Sequence, residues 1–262
     1  MYNVDGGYLT FKMSFGNFDM WQAKYGKQVA IFATDNKPER REVYKAYKEY
    51  RNVGKEERIS FVKELRDRVM EEAQLPICSI QGLEADDIVA CWNIFNPQDK
   101  IIGVDKDFFQ LPYVEYVYYH NLKPYSIIAC IGSLPQYLQK LASRNFALYQ
   151  ILLGDVADNI PRLLAKGKEG KEQIEDLLNT NDLESYLLKT FKPDEVLTNA
   201  KLVLFPYYTY FESPDFSIDW FSYWCAGDYY NPVYWQGLYN KIQACKLPNK
   251  VNTDAEEMFS LI

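Results

Sequence analysis

Residues 82–90 read GLEADDIVA, and residues 100–108 read KIIGVDKDF. The first string sets Glu84, Asp86 and Asp87 at the head of an apolar stretch with three- and four-residue spacing. That spacing predicts a helix over Glu84–Phe95, with its acids at the positive end of the helix dipole. The second string is a short apolar run that breaks into Asp105 and Asp107, as a buried strand does on reaching the edge of its sheet. Two further strand-like runs end the same way, MYNV at Asp5 and QVAIFAT at Asp35, while PICSI and VEYVYY supply two more strand candidates.

Helical periodicity falls between these runs, over Pro38–Tyr50, Glu56–Glu72 and Glu84–Phe95. Alternating strands and helices predict a central, mostly parallel sheet flanked by helices. Such sheets bind ligands outside the carboxyl ends of their strands, so acids distant in sequence are expected to gather there. From about residue 133 the pattern turns helical: Leu134–Ala142, Asn145–Leu153, Lys171–Leu178, Leu183–Leu188 and Asp194–Leu204. The expected division is an α/β core over residues 1–132 and a helical region over 133–262. The aromatic-rich part from Pro206 to Tyr239 is expected to be core and interface filler. Stacking on single-stranded bases is the other use of such residues.

A third acidic string, LLGDVADNIP at 152–161, places Asp155 and Asp158 where an apolar helical segment stops. Each acid alone has an ordinary explanation, as a helix cap, a turn former or a loop residue. Together they crowd the ends of apolar elements, where a carboxylate is costly unless paired or bound to metal. Hard oxygen donors in this number suit Mg²⁺ or Mn²⁺ rather than zinc or copper. Two such ions about 4 Å apart can activate a water and stabilise the leaving oxygen of a phosphodiester.

Bulk properties bound the rest. The chain has 262 residues, 48% hydrophobic and 25% charged, ordinary for a globular protein. No apolar run is long enough to span a membrane, and no secretory signal is evident. The five cysteines show no CxxC pairing, which predicts thiols in a reducing cytoplasm. The net charge of −7 is unusual for a nucleic-acid binder. Bases nevertheless concentrate over Lys37–Arg68 and Arg162–Lys171, and local patches dominate within a Debye length. His120 is the sole histidine and lies in an aromatic stretch, against a Ser-His-Asp hydrolase. No Walker loop or dinucleotide fingerprint is present.

At these strings the sequence resembles the 5′-to-3′ exonuclease and flap endonuclease family, in its phage-type stand-alone form. EADD, DKD and GDxxDNIP occur in the family's order, VDGGYLTF resembles its opening strand, and KPERREVYKAYKEYR resembles its FR…YKxxR segment. The resemblance covers about residues 1–180 and implies a PIN-like core with a helical C-terminal region holding a divergent helix-hairpin-helix at about 145–180. It implies a two-metal nuclease that removes 5′ ends, flaps or RNA primers, acts on DNA or RNA–DNA hybrids, and works as a monomer.

By the same resemblance Asp5, Asp35, Glu84, Asp86 and Asp105 form a first metal site, and Asp107, Asp155 and Asp158 complete a second. Asp87 is then a shared or outer acid of the catalytic set, with Lys48 and Arg51 facing the scissile phosphate from a helix. Arg41, Tyr47, Lys166, Gly167, Lys168, Gly170 and Lys171 are implied DNA contacts. Two departures stand out. The family's arch is short here, at about residues 52–75. RLLAKGKEGKEQ blurs the hairpin's apolar-glycine pattern, which counts against the potassium ion often held there. Two alternatives use the same acids: a nuclease-derived protein that holds branched DNA without cutting it, and a small-domain PIN-type ribonuclease.

Overall fold

The computed structural model describes residues 1–12, 15–49, 56–72, 75–211 and 219–245. Six strands form one sheet: β1 (Tyr2–Asp5), β2 (Val29–Thr34), β3 (Ile77–Ser79), β4 (Lys100–Ile102), β5 (Tyr116–Tyr118) and β6 (Pro124–Ser126). They lie in the order β3-β2-β1-β4-β5-β6. All neighbours pair in parallel except β5 with β6 at the edge. Every residue of VAIFAT is buried, because β2 is covered on both faces and an unbroken apolar run suits such a strand. The winding direction reverses between β1 and β4, so a crevice opens beyond their carboxyl ends. Asp5 ends β1 and Asp105 follows β4, which puts both at that crevice.

Helices α1 (Gly6–Lys12) and α2 (Phe15–Tyr25) follow β1, where the sequence pattern predicts no element. Phe18 and Trp21 hold α2 against the sheet, in a small core with Val4, Leu9 and Phe32. After β2 comes α3 (Arg40–Val43), much shorter than the helix expected over Pro38–Tyr50. Tyr44 is extended and residues 45–49 are turns. The cause is tertiary: Arg40 and Tyr47 are drawn into the interior by acids, and β-branched and aromatic residues in VYKAY resist a helix only weakly favoured there.

The segment assigned to the arch contains α4 (Glu56–Glu72). Its Leu65 and Val69 are buried in the small core with Phe61 packed beside them, a stripe at four-residue spacing, so the described part of the helix is docked. The large core lies under the other face of the sheet, beneath α5 (Ala85–Phe95). Beyond β6 the chain is helical: α6 (Ile127–Ile131), α7 (Gln136–Arg144), α8 (Phe146–Leu153), α9 (Gly167–Asn179), α10 (Leu183–Thr190), α11 (Pro193–Val203), α12 (Trp220–Ala226) and α13 (Pro232–Cys245). Phe211, Trp220, Phe221, Trp224, Tyr229 and Trp235 are all buried, so the described aromatics of this region are largely core. No described helix is long and apolar enough to cross a membrane.

Candidate metal centre and nucleic-acid interface

The acids at the sheet edge are oriented by backbone amides. Asp5 Oδ1 accepts from Tyr8 N at 3.0 Å, Asp35 Oδ1 from Ala85 N at 2.7 Å, and Asp86 Oδ1 from Asp87 N at 2.9 Å. Asp105 Oδ1 accepts from Asp107 N at 2.9 Å, and Asp155 Oδ1 from Ala157 N at 2.7 Å. Each of these carboxylates uses one oxygen on an N–H near the start of a helix or turn, which fixes its rotamer. The ordinary capping role and the clustering therefore coexist in the same side chains. Asp35 is the clearest case, since it reaches from the end of β2 to the first amide of α5.

At the start of α5, Glu84, Asp86 and Asp87 bring carboxylate oxygens within 4.8 Å of one another, the one such group among the described residues. Asp35 touches the same helix start through the Ala85 amide, while Asp5 and Asp105 stand at the ends of β1 and β4 and are not part of this group. Three side chains from residues 40–48 face it. Arg40 is 2% exposed; its Nη1 donates to Glu84 Oε2 at 2.5 Å and Asp87 Oδ2 at 2.9 Å, and its Nη2 to Asp87 Oδ1 at 2.7 Å. The Tyr47 hydroxyl donates to Glu84 Oε2 at 3.2 Å, and Lys48 Nζ donates to Glu84 Oε1 at 2.5 Å. Burial pushes the Glu84 carboxyl up, but Arg40 and Lys48 outweigh it and hold it at about 2. Burial raises Asp86 well above the usual carboxylate range, and the charges of Glu84 and Asp87 add to this. A divalent cation beside Asp86 would relieve that repulsion, and all-oxygen donors are what Mg²⁺ or Mn²⁺ takes.

A second knot forms where β4 meets the turn after α8. Lys106 Nζ donates to Asp155 Oδ2 at 2.5 Å, and the Gln150 amide donates to Asp107 Oδ1. Burial, then the charge of Asp105, raises Asp107 well above its ordinary value. Asp155 is lowered: burial opposes, and the hydrogen bond from Lys106 prevails.

The two knots are tied together through the backbone. Lys48 N donates to Asp158 O at 3.0 Å, and Asn159 Nδ2 donates to Ala46 O at 3.0 Å. Lys48 and Asn159 both adopt left-handed conformations, φ 55° and 63°, strained for non-glycine residues and held by these contacts. The result sets Lys48 Nζ 4.0 Å from Asp158 Oδ2. Lys48 thus reaches the acids from a turn, which corrects the expected helical face shared with Arg51; Arg51 itself lies outside the described residues. Tyr47, expected on the DNA surface, is 3% exposed and belongs to the acid scaffold. Its ring is needed in the interior to bring the hydroxyl to Glu84. Arg41 faces solvent. Sequence reasoning passed over Arg40, whose signal was an arginine eight residues before Lys48 in the FR…YKxxR segment.

The expected hairpin joins α8 to α9. Gly154, at φ 67°, ends α8 where a Cβ would lie 2.3 Å from Ile160 O, so the turn carrying Asp155 and Asp158 can close. Leu163 N and Leu164 N both donate to Leu152 O at 2.9 Å. Lys166 precedes α9, Gly167 opens it toward open space, and a Cβ on Gly170 would meet Ala165 O at 2.0 Å. Gly170 is accordingly a packing residue. The side chains of Lys168 and Lys171 are 90% and 58% exposed, in loose ion pairs with Glu172 and Glu175 that contribute little.

Residues 5–130, a little under half of the chain, match the model of a family described as the 5′-3′ exonuclease, N-terminal resolvase-like domain. Among curated proteins no sequence matches. Solved structures do. The T5 D15 protein co-crystallised with metal ions superposes with a TM-score of 0.57 at 17% identity, covering 92% of this chain and 98% of that one. A T5 5′-exonuclease with bound zinc gives 0.54 at 16%, covering 92% and 99%. A bacteriophage T5 flap endonuclease variant, in a complex with DNA and metal ions, gives 0.52 at 16%, covering 92% and 98%. At these identities the structural likeness establishes the fold, and the family model adds the sequence relationship. Residues 5–130 thus match the N-terminal resolvase-like domain of 5′-3′ exonucleases, within a fold that the chain shares over 92% of its length with the T5 structures.

Proposed function

We propose that this chain is a divalent-metal-dependent 5′ nuclease that hydrolyses phosphodiester bonds in DNA, as a 5′-3′ exonuclease, a flap endonuclease or both. The observation that carries this is the Glu84–Asp86–Asp87 group, drawn within 4.8 Å at the carboxyl edge of a resolvase-like sheet. Glu84, Asp86 and Asp5, with Asp35 and Asp105 around them, would hold one Mg²⁺ or Mn²⁺; Asp107, Asp155 and Asp158 would hold a second. Bound ions would supply a nucleophilic water and stabilise the leaving oxygen.

The chain's own residues do the rest. Lys48, 15% exposed and held by Glu84, can donate to a non-bridging phosphate oxygen and fix the scissile group in line. Lys166, Lys168 and Lys171 offer cations to the duplex backbone beside the Asp155–Asp158 turn. The family's fold, and the DNA and metal ions in the flap endonuclease complex, support this reading.

The test is incubation with 5′-labelled flap, nicked, blunt-duplex and RNA–DNA hybrid substrates in Mg²⁺, with product lengths read on a gel. Cleavage should stop in EDTA, return with Mg²⁺ or Mn²⁺, and be largely lost in Asp86→Asn. Binding of branched DNA without cleavage under any metal would replace the nuclease with a DNA-holding protein, and cleavage surviving EDTA would sink the metal mechanism.

A further inference from the structure

Arg40 makes more polar contacts in the acid group than any ligand of a simple ion pair would need. Both of its terminal nitrogens grip Asp87, one also holds Glu84, and Nη2 donates to Leu204 O at 3.2 Å. Its guanidinium lies 5.2 Å from the Tyr207 ring centroid and 5.9 Å from that of Phe205. Both Asp87 oxygens are engaged, and Oδ2 takes the Glu84 amide at 3.1 Å as well. Asp87 therefore has little left to offer an ion. Asp86, 3.9 Å from Arg40, is the acid of the trio not directly hydrogen-bonded to it. The geometry divides the group into an anchor, Asp87, a shared acid, Glu84, with Oε2 on Arg40 and Oε1 on Lys48, and a carboxylate left to face a metal, Asp86.

We propose that Arg40 is a positioning residue that builds the metal site from the C-terminal half of the molecule: it seats Glu84 and Asp87 on one side and is itself aimed by Leu204 and Tyr207 on the other. This rests on the nuclease reading above. The planar fork is what the task requires, since two parallel N–H groups fix the rotation of Asp87 and a lysine ammonium cannot. The segment after α11 is in turn held rigid. Gln110 donates to Val203 O and accepts from Phe205 N, both at 3.0 Å, and accepts from the Tyr230 hydroxyl at 2.8 Å. A disturbance in the aromatic region thus reaches the acids through one side chain. Outer partners of metal ligands commonly change metal affinity by about ten- to a hundredfold when replaced.

The experiment measures Mn²⁺ binding to the full chain by calorimetry, beside single-turnover flap cleavage across a Mn²⁺ titration, for wild type, Arg40→Lys and Tyr207→Leu. Arg40→Lys should weaken Mn²⁺ binding by at least about tenfold, and its cleavage rate should recover toward wild type at high Mn²⁺. Tyr207→Leu keeps the apolar bulk and removes the ring face, and should weaken binding by a few-fold. A folded Arg40→Lys that binds Mn²⁺ as wild type does, even if it melts earlier, would reduce Arg40 to a packing residue. If Arg40→Lys does not fold, Tyr207→Leu decides, and unchanged affinity there overturns the proposal. Wild type that binds no Mn²⁺ and cuts nothing defeats the nuclease reading and this inference together; wild type that does both leaves only the Arg40 assignment at stake.

Discussion

Lys48 concentrates several costs in one residue: a left-handed backbone, a largely buried ammonium and an ion pair with Glu84. Burial works against its charge, and Glu84 foremost among its neighbours raises its pKa well above the ordinary value. An ammonium so held stays charged and aimed at the acid cluster. Lys48→Ala should lower single-turnover cleavage by about a hundredfold, the scale for loss of one positioned transition-state donor. Equilibrium DNA binding in Ca²⁺ should change by less than tenfold; an equal fall in affinity would make Lys48 a phosphate anchor only. Glu84 gives a second test. Its carboxyl, at about 2 against an ordinary 4.5, contributes stability that is present above pH 4.5 and lost as pH falls toward 2. Asp86 and Asp107 are shifted upward and carry the opposite slope, so the comparison must be by difference. Metal-free Glu84→Gln should show a shallower loss of stability than wild type between pH 4.5 and 2 in urea titrations, and an identical acid limb would remove the Arg40–Glu84 pair from the account.

The α8–α9 hairpin works as an element because glycines let its backbone close on itself. Gly170 is the sharper case, since an added Cβ would sit 2.0 Å from the backbone oxygen of Ala165, which cannot swing aside as a side chain could. Gly170→Ala should cost about 1–3 kcal/mol in urea-induced unfolding, in the range for overpacking a close contact. Because the hairpin begins at the Asp155–Asp158 turn, the variant should also lose cleavage at limiting Mg²⁺. Stability within error of wild type would mean that α9 shifts freely and does not position that turn.

Over the whole molecule the balance of charge predicts a response to metal and to salt. The acidic knots sit at the crevice of a sheet in a chain of net charge −7, and their mutual repulsion destabilises the metal-free fold. Mg²⁺ at a hundredfold excess over its Kd should add about 2.7 kcal/mol by linkage. That appears as a rise of several degrees in Tm. No rise at millimolar Mg²⁺ would count against a preformed site. Binding to DNA should depend on salt through the tract at the start of α9. Replacing Lys166, Lys168 and Lys171 by alanine should flatten the log–log salt slope by roughly one unit for each phosphate they no longer neutralise. An unchanged slope would leave these lysines as a solvated face.

The strands, the helix under GLEADDIVA and the gathering of acids at one edge were legible because they arise from local physics. Buried parallel strands must be apolar runs, they must end at an edge, and the acids stand immediately after those ends. Asp5, Asp35 and Asp105 can be placed at that edge from their position after the apolar runs alone. The helical segments after residue 133 were legible for the same reason, as were Asp155 and Asp158 where one of them stops; the family resemblance added only their grouping with Asp107. The periodicity of 38–50 misled because a helix there competes with contacts from far away in sequence. Arg40 is held by residues 84, 87 and 204, Tyr47 by Glu84, and Lys48 by the backbone of Asp158. Those attractions stop α3 at Val43 and turn residues 44–49 into a strained loop. The same distance effect hid the division of labour among the three acids of EADD. In the string they are equivalent carboxylates; in the fold one is clamped by a guanidinium, one is paired with an ammonium, and one has its pKa raised by burial and by the other two. Charge compensation in a buried site is settled by which cation can be brought to which oxygen, and that depends on how the segments around residues 40, 85 and 204 converge, which no local pattern encodes.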